Sequence, residues 1–294
     1  MKPATFFCFG LGYSAMRLAT ALQSDGWAVA GTCRSAEQAA KLQDQGIDTH
    51  VFDGSAAGDG IAAALDAAAY VLSSVPPGKA GDPVLKYFGP ALAARRDLKW
   101  LGYLSTTGVY GDTGGAWVDE TAPVQADVPR SRDRATAERG WLALHAEHGL
   151  PVHLFRLAGI YGPGRSPLER IRGGNARRID KPGHRFSRIH VDDIAQVLIA
   201  AMARPSPGAI YNVCDDEPEE PRVVTEFGCR LLGIEPPPVV SFDEAAKAMT
   251  PMGLSFWQDN RRVRNDRIKT ELRVELRYPT YREGLAALVA DNQA

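Results

Sequence analysis

The sequence predicts an α/β fold built on a doubly wound parallel sheet. Short apolar segments rich in β-branched and aromatic residues alternate with helical segments, and their spacing suits strand–helix–strand units. The first strand also runs directly into a glycine-rich turn that opens the first helix. Because helices cover such a sheet on both faces, its strands read as continuous apolar runs.

Six strands are predicted before residue 160, separated by helices whose apolar residues recur three or four positions apart. The strands are expected at Thr5–Phe9, Trp27–Thr32, Thr49–Phe52, Tyr70–Val75, Trp100–Ser105 and Val152–Leu157. The helices are expected at Ser14–Ser24, Ser35–Gln45, Ile61–Ala68, Pro83–Arg95 and Arg134–His148. After Ile160 the alternation loosens, then returns with a helix at Val191–Met202 and a strand at Ala209–Val213. Further helices are expected near 222–232, 243–248 and 280–291.

Composition and charge exclude several classes of protein. The 294 residues are 45% hydrophobic and 23% charged, which is ordinary globular composition. The formal net charge of −1 provides no field that would recruit nucleic acid or an anionic membrane. No segment reaches the roughly 18 apolar residues of a membrane span. The four cysteines are scattered without a CxxC pair, which predicts reduced thiols in a cytoplasmic protein and no metal site.

The turn after the first strand has the spacing of a dinucleotide-binding loop. It reads Gly10-Leu11-Gly12-Tyr13-Ser14-Ala15, that is, Gly-x-Gly-x-x-Ala. The first glycine permits the tight turn, the second lets the backbone approach a pyrophosphate, and the alanine allows the helix to pack closely on the strand. The helix N-terminus then offers its N–H groups to the anion. Strand, loop and helix together predict a Rossmann-type NAD(P) site; the alternative is a tight turn without a ligand.

The end of the second strand bears on which cofactor is held. NAD enzymes place an acid there for the ribose 2′-hydroxyl, whereas NADP enzymes use a nearby arginine for the 2′-phosphate. This strand ends in Cys33-Arg34-Ser35, with no acid. Arg34 can make charge-assisted bonds to a phosphate and Ser35 can add a hydroxyl, unless Arg34 is only a solvated loop residue. We expect NADP(H) to be preferred, with NAD(H) also accepted.

The order of motifs resembles the extended short-chain dehydrogenase/reductase family of NAD-dependent epimerase/dehydratase type. The matching segments are LSTTGVYG at 104–111, RLAGIYGPGR at 156–165, RIHVDDIAQVLIAAM at 188–202, GAIYNVCDDEP at 208–218 and the tail from Asn265. The resemblance implies a dinucleotide-binding domain of residues 1–160, to which 188–215 return. It also implies a small, discontinuous substrate lobe of 161–187 and 216–294. Homodimers are usual in that family.

The resemblance assigns further site residues. Asp53, after the third strand, falls where the family has an acid near the adenine amino group. Ser74, Val75 and Pro76 follow the fourth strand, where the backbone passes the nicotinamide. Thr106 falls on the catalytic hydroxyl position, although Ser105, Thr106 and Thr107 also suit ordinary strand-end capping.

The family's catalytic Tyr-x-x-x-Lys pair is missing. Residues 127–138 contain neither Tyr nor Lys, and the helix landmark Glu138 places Arg130 at the tyrosine position and Arg134 at the lysine position. Arg134 can still bond a ribose, but guanidinium does not release its proton as a phenol does. Three hypotheses remain: an enzyme that takes its acid from elsewhere, with Tyr110 a candidate; a sensor that binds NADP(H) without turnover; and a non-redox sugar-nucleotide enzyme.

Residues 165–188 contain eight basic side chains and two acidic ones, Glu169 and Asp180. Beside the crevice such a segment would suit a small phosphate- or carboxylate-bearing substrate, but a solvated basic surface is an equal alternative. The segment lacks interleaved aromatics, which argues against nucleic acid. Asp192 and Asp193 are expected to cap the helix that follows, and His190 to be structural.

Overall fold

The centre of the molecule is a seven-stranded parallel sheet, seen in a computed structural model that describes residues 1–291. Its strands are β1 Thr5–Phe9, β2 Ala28–Cys33, β3 Asp48–Val51, β4 Tyr70–Ser73, β5 Trp100–Thr106, β6 Val152–Leu157 and β7 Ile210–Val213. Their order in the sheet is β7–β6–β5–β4–β1–β2–β3, and every pairing is parallel. The predicted doubly wound fold is confirmed.

Twelve helices connect and flank the strands within the described residues. Those before residue 150 are α1 Tyr13–Ser24, α2 Ala36–Gln43, α3 Ile61–Asp66, α4 Pro83–Ala94 and α5 Pro129–His148. The later ones are α6 Pro167–Arg172, α7 Val191–Ala203, α8 Pro221–Leu232, α9 Phe242–Ala246, α10 Pro251–Ser255, α11 Asp266–Thr270 and α12 Tyr281–Asp291. None of these helices combines the length and the apolar character that a membrane crossing requires.

Side chains that alternate along each strand build two hydrophobic layers. In β1, Phe6 and Cys8 pack with α1, α2 and α7, whereas Phe7 and Phe9 pack with α3, α4 and α5 on the opposite face. All four side chains are fully buried, as expected for a strand covered on both faces. From β1 the chain adds β2 and β3 on one side of the strand and β4 to β7 on the other, so the strand order reverses between β1 and β4. The crevice of such a sheet opens at this reversal, at the carboxyl ends of β1 and β4.

The predicted start of α5 was wrong by five residues. We expected it at Arg134, but the helix begins at Pro129. The first turn is rich in charged residues, so the apolar periodicity that predicts a helix starts late. Pro129 suits the first position of a helix, because its missing N–H would have no partner there and its ring fixes a helical φ. The consequence is functional, because Arg130 and Arg134 both lie on this helix.

The later part of the chain forms two smaller apolar clusters away from the sheet. One joins α6, α8 and α12 around Leu168, Val224 and Tyr281. The other surrounds Trp257 and includes Ile179 and Ala245. Short parallel strand pairs connect this region to the main body: Arg188–His190 with Gly159–Tyr161, and Arg262–Val263 with Trp117–Val118. A third pair, Arg178–Asp180 with Val239–Ser241, lies within the region.

Gly31 in β2 allows the turn after β1 to pack against the sheet. A Cβ at this position would lie 2.5 Å from the Cys8 carbonyl oxygen and 2.9 Å from Leu11 Cδ1, and both neighbours belong to the strand and turn that build the candidate loop. We predict that Gly31→Ala lowers the free energy of unfolding by roughly 1–3 kcal/mol, measured by urea denaturation, because overpacking forces the backbone apart.

Gly78→Ala is the matched control for Gly31→Ala. Gly78 is exposed, and a Cβ there would have no neighbour within 4 Å, so the change should stay within about 0.5 kcal/mol of wild type. Equal effects of the two substitutions would contradict the packing explanation.

Candidate functional site

The turn between β1 and α1 is held in shape by Thr32 on the neighbouring strand. The Thr32 hydroxyl accepts a hydrogen bond from Gly10 N (2.9 Å), and its carbonyl accepts one from Leu11 N (2.7 Å). Gly10 has φ +83°, and a Cβ there would lie 3.0 Å from Val75 Cγ2, so glycine is required on both counts. Sequence reasoning identified the two glycines of this loop but missed Thr32.

The backbone at Gly12 is bare. A Cβ at Gly12 would have only the Gly10 carbonyl oxygen within 4 Å, and no side chain caps the start of α1. The first turn of α1 also carries no acidic residue, while Ser14 and Ala15 face inward and are buried. Unpaired N–H groups on a helix N-terminus, beside a glycine without obstruction, form a cradle that fits a diphosphate.

Tyr13 links this cradle to the later part of the chain. Its hydroxyl donates to the Pro163 carbonyl (3.0 Å), and the Arg165 guanidinium lies 5.5 Å from the centre of its ring. The turn at 162–165 therefore lies directly beside the N-terminus of α1.

The residues predicted to hold the adenosine end lie at the ends of β2 and β3. Arg34 is exposed, and within residues 1–291 its guanidinium has neither an ion pair nor a hydrogen bond. Ser35 is engaged in capping, because its hydroxyl accepts a bond from Gln38 N at the start of α2. The Asp53 carboxylate accepts bonds from Ser55 Oγ and Ser55 N, which lower the pKa of Asp53 and keep it ionised.

On the nicotinamide side, the segment after β4 lies against the glycine loop. Ser74 N donates to the Phe9 carbonyl (2.8 Å), and the Val75 side chain packs beside Gly10. Pro76 follows on the exposed side of the same segment. Ser74, Val75 and Pro76 are thus next to the cradle, as their sequence order predicted.

Thr106 ends β5 at the same edge of the sheet. Its hydroxyl oxygen accepts a bond from Gly108 N (3.1 Å) and so caps the 3₁₀ turn Thr107–Tyr110. An accepting hydroxyl keeps its own hydrogen for another partner, so capping leaves Thr106 able to donate to a ligand. A Cβ at Gly108 would lie 3.3 Å from Thr106 Oγ1 and 2.9 Å from Ser131 Oγ. Both hydroxyls therefore converge on the same point, although sequence reasoning did not single out Ser131.

Tyr110, the proposed alternative acid, is built into the interior. Its side chain is 1% exposed, and its hydroxyl donates to Asn212 Oδ1 (2.7 Å) while accepting from Arg156 Nη1 (2.9 Å). Burial raises the pKa of Tyr110, and the charge of Arg156 only partly offsets this effect. These contacts favour a positioning role for Tyr110 over direct proton transfer.

Arg156 is the centre of a buried polar network that ties β5, α5, β6 and β7 together. Its guanidinium makes two bonds to the Glu138 carboxylate (3.1 and 2.7 Å), and both side chains are 4% exposed. Ser105 donates to the same carboxylate, and Asn212 N donates to Glu120 Oε1. The signal in the sequence is an arginine in the apolar strand VHLFRL, because a charge buried in a central strand needs a partner.

Arg134 and Arg130 occupy the start of α5, over β5. Arg134 donates to the Leu104 carbonyl (2.6 Å) and to the Tyr103 hydroxyl (3.2 Å), so it is tied to the strand that carries Thr106. Arg130 instead lies over the ring of Phe256, 4.5 Å from its centre. The two arginines therefore have different surroundings.

The expectation that Asp192 and Asp193 cap α7 was wrong. The His190 ring caps the helix by accepting from Asp192 N (3.2 Å). Asp192 pairs with Arg17 (2.6 Å), and the buried Asp193 accepts from the backbone of Arg277 and Tyr278. His190 is 1% exposed, and burial lowers its pKa to about 4, so it is neutral in the folded protein. Its role is structural.

About half of the basic segment 165–188 serves the fold. Arg178 pairs with Glu226, Lys181 donates to the Trp257 carbonyl, and both Arg185 and Arg188 bond carbonyls of the segment 218–219 or Phe186. Within residues 1–291 the remaining guanidinium groups have no ion pair or hydrogen bond; they belong to Arg165, Arg170, Arg172 and Arg177. The segment is therefore a weaker indicator of an anionic ligand than its composition suggested.

Comparisons with known proteins agree with this site. The model of the NAD dependent epimerase/dehydratase family matches residues 90–214, which include Thr106, Arg130, Arg134 and the Arg156 network. The resemblance to the NAD-dependent epimerase/dehydratase family that the sequence indicated is confirmed over this part of the chain. This resemblance agrees with the bare cradle after β1.

Individual proteins match the chain nearly end to end. A conserved protein of unknown function from Silicibacter pomeroyi DSS is 50% identical with a TM-score of 0.90, over 99% of this chain and 100% of that one. Protein YeeZ of Escherichia coli K12 is 29% identical, over 92% of this chain and 94% of YeeZ. UDP-glucuronic acid 4-epimerase from Bacillus cereus, solved with UDP-glucuronic acid and NAD, shares the fold, with a TM-score of 0.77 at 15% identity over 98% and 99% of the two chains.

The Arg156–Glu138 pair can be tested by removing one partner. We predict that Arg156→Met lowers the free energy of unfolding by about 3–5 kcal/mol in urea denaturation, because Glu138 is left buried without a counter-charge. Arg178→Met is the control: Arg178 and Glu226 are 27% and 21% exposed, and losing that pair should cost about 1 kcal/mol or less. Similar losses in both variants would contradict a special role for the buried pair.

Proposed function

We propose that this chain is a cytoplasmic, NADP(H)-preferring enzyme that acts on a small anionic or sugar-type substrate at an oxygen-bearing carbon. The observation that carries the proposal is the bare backbone cradle at Gly10 and Gly12, at the sheet crossover where ligands of this fold class bind. Residues 1–160 and 188–215 would hold the cofactor, and 161–187 with 216–294 would contact the substrate.

A bound nicotinamide dinucleotide would supply or accept a hydride at that carbon. The amides of Tyr13 and Ser14 would hold its diphosphate, with Gly12 leaving room for it, and Arg34 would recognise the 2′-phosphate. Asp53 would accept a bond from the adenine amino group, and Ser74, Val75 and Pro76 would line the nicotinamide side. The buried side chains of Leu11 and Ala15 pack in the hydrophobic core and so anchor the turn.

At the reacting end, Thr106 would donate its hydroxyl hydrogen to the substrate oxygen. Arg134, held by β5, would bond the ribose or stabilise negative charge on that oxygen. The Arg134 guanidinium does not exchange protons near neutral pH, so a water molecule or another titratable group must supply the proton that the substrate oxygen gains when the carbon accepts a hydride.

A second candidate is a sensor that binds NADP(H) without turnover. Residues 127–138 contain no Tyr or Lys, and the Tyr110 hydroxyl already has two partners inside the protein. A panel of carbonyl, hydroxy-acid and sugar-nucleotide substrates, followed by NADPH fluorescence, separates the two candidates. Tight cofactor binding with no signal change across the panel would favour the sensor.

The preference for NADP(H) is tested at Arg34. We predict that Arg34→Ala weakens NADPH binding about tenfold or more in calorimetric titrations and leaves NADH binding nearly unchanged, because only NADPH carries the 2′-phosphate. Lys41→Ala removes an exposed cation of α2 that pairs with Glu37, and it should change neither affinity. An equal loss for both cofactors, or no loss, would refute the role of Arg34.

The two hydroxyl candidates are separated by matched substitutions. We predict that Thr106→Val lowers kcat roughly 10²-fold or more while Thr106→Ser retains most of it, because only the donor is lost in the first. Tyr110→Phe should instead lower the free energy of unfolding by about 1–3 kcal/mol, with kcat changed far less, since it leaves buried partners unpaired. The opposite pattern would make Tyr110 the acid.

A further inference from the structure

Arg130 stands at the tyrosine position of the family and has an unusual environment. Within residues 1–291 its guanidinium makes no ion pair and no hydrogen bond, so its N–H donors are all available. It lies over the ring of Phe256, whose centre is 4.5 Å away and whose side chain is 52% exposed. An arginine stacked on an aromatic ring keeps its donors in the plane of the fork, where they can bind an anion.

The position of Phe256 is fixed by its neighbour. Trp257 is buried, stacks on His184 with ring centres 5.4 Å apart, and packs against Phe186 and Phe242 at 5.3 Å each. The Trp257 carbonyl also accepts a bond from Lys181 Nζ (2.6 Å). The half-exposed Phe256 ring is therefore carried by an anchored segment and holds Arg130 in a defined place.

Arg130 also lies near the candidate reacting end. The next residue, Ser131, is buried, and its hydroxyl faces the same point above Gly108 as the Thr106 hydroxyl. One turn further on, Arg134 is bonded to the strand that ends at Thr106. Arg130 thus belongs to the helical turn whose Ser131 faces the 3₁₀ turn that Thr106 caps.

Arg130 lies near a second arginine. Arg261, which bonds the Gly111 carbonyl and Asp259, has a lowered pKa; burial is the main cause, and the positive charge of Arg130 lowers it further. Asp259 is already paired with Arg261, and the Asp112 carboxylate accepts bonds from Asn260 N and Gly114 N. Within residues 1–291 neither carboxylate forms an ion pair with Arg130.

We propose that Arg130, held on Phe256, binds an anionic oxygen group of the substrate, a carboxylate or a phosphate, beside the Thr106 hydroxyl. This inference rests on the proposed function and makes it more specific. The substrate would carry its anionic group close to the reacting carbon, in the space where other family members place a phenol. Arg130 then recognises the substrate and leaves proton transfer to another group.

The test is calorimetric titration of the full chain with oxalate and, separately, with inorganic phosphate at constant ionic strength. Each titration is run on the protein alone and on protein saturated with NADP⁺. We expect Arg130→Gln to weaken binding of the favoured anion about tenfold or more, because charge-assisted bonds are lost. Phe256→Leu should weaken it less, since the guanidinium stays but loses its support. The anion that binds more tightly, oxalate or phosphate, shows whether the substrate group is a carboxylate or a phosphate.

Arg139→Gln is the matched control, because Arg139 is exposed on the same helix and, within residues 1–291, bonds only the Thr136 hydroxyl. It should bind both anions as the wild type does. The assignment of Arg130 is overturned if wild-type protein binds neither anion, if Arg130→Gln binds them equally well, or if Arg139→Gln loses as much. If the wild-type protein has no measurable affinity for NADP⁺, the proposed function is refuted instead. The titrations without cofactor still test the role of Arg130 in that case.

Discussion

The ion pair between Arg156 and Glu138 constrains the reacting end of the candidate site, because it places two opposite charges in the buried layer between β6 and α5. Each charge would be costly without the other, so β6 and α5 must pack with these two side chains facing each other. Ser105 joins the pair from β5, and Tyr110 extends it to Asn212 on β7. The position of Thr106, one residue after Ser105, follows from this network.

Two arginines near the start of α5 have different surroundings. Arg134 donates to the Leu104 carbonyl and the Tyr103 hydroxyl, and these bonds keep the start of α5 over β5. Within residues 1–291 Arg130 makes no hydrogen bond and instead extends to Phe256. Arg134 therefore supports the architecture, whereas Arg130 is the group proposed to bind an anion.

The cofactor end is governed by a different constraint, the close approach of backbone to backbone. Gly31 lies under the turn after β1, Gly10 has a positive φ beside Val75, and Gly12 leaves the helix N-terminus uncovered. Side chains would block each of these approaches, so glycine is the residue that lets an anion reach the amides. Thr32 then fixes the turn with two hydrogen bonds.

The sequence by itself determined the fold class, most strand positions and the glycine loop. These features depend on the local spacing of apolar residues and on positions that only glycine can occupy. It located Thr106 through the motif that ends β5, and it showed that Tyr and Lys are missing from the start of α5. Only the tertiary structure decided which polar groups meet. Arg156 pairs with Glu138, which is 18 residues away along the chain, and Tyr110 donates to Asn212, which is 102 residues away. Arg130 lies against Phe256 of a distant segment. Such pairings depend on how the chain packs in three dimensions, and no local pattern of residues encodes them.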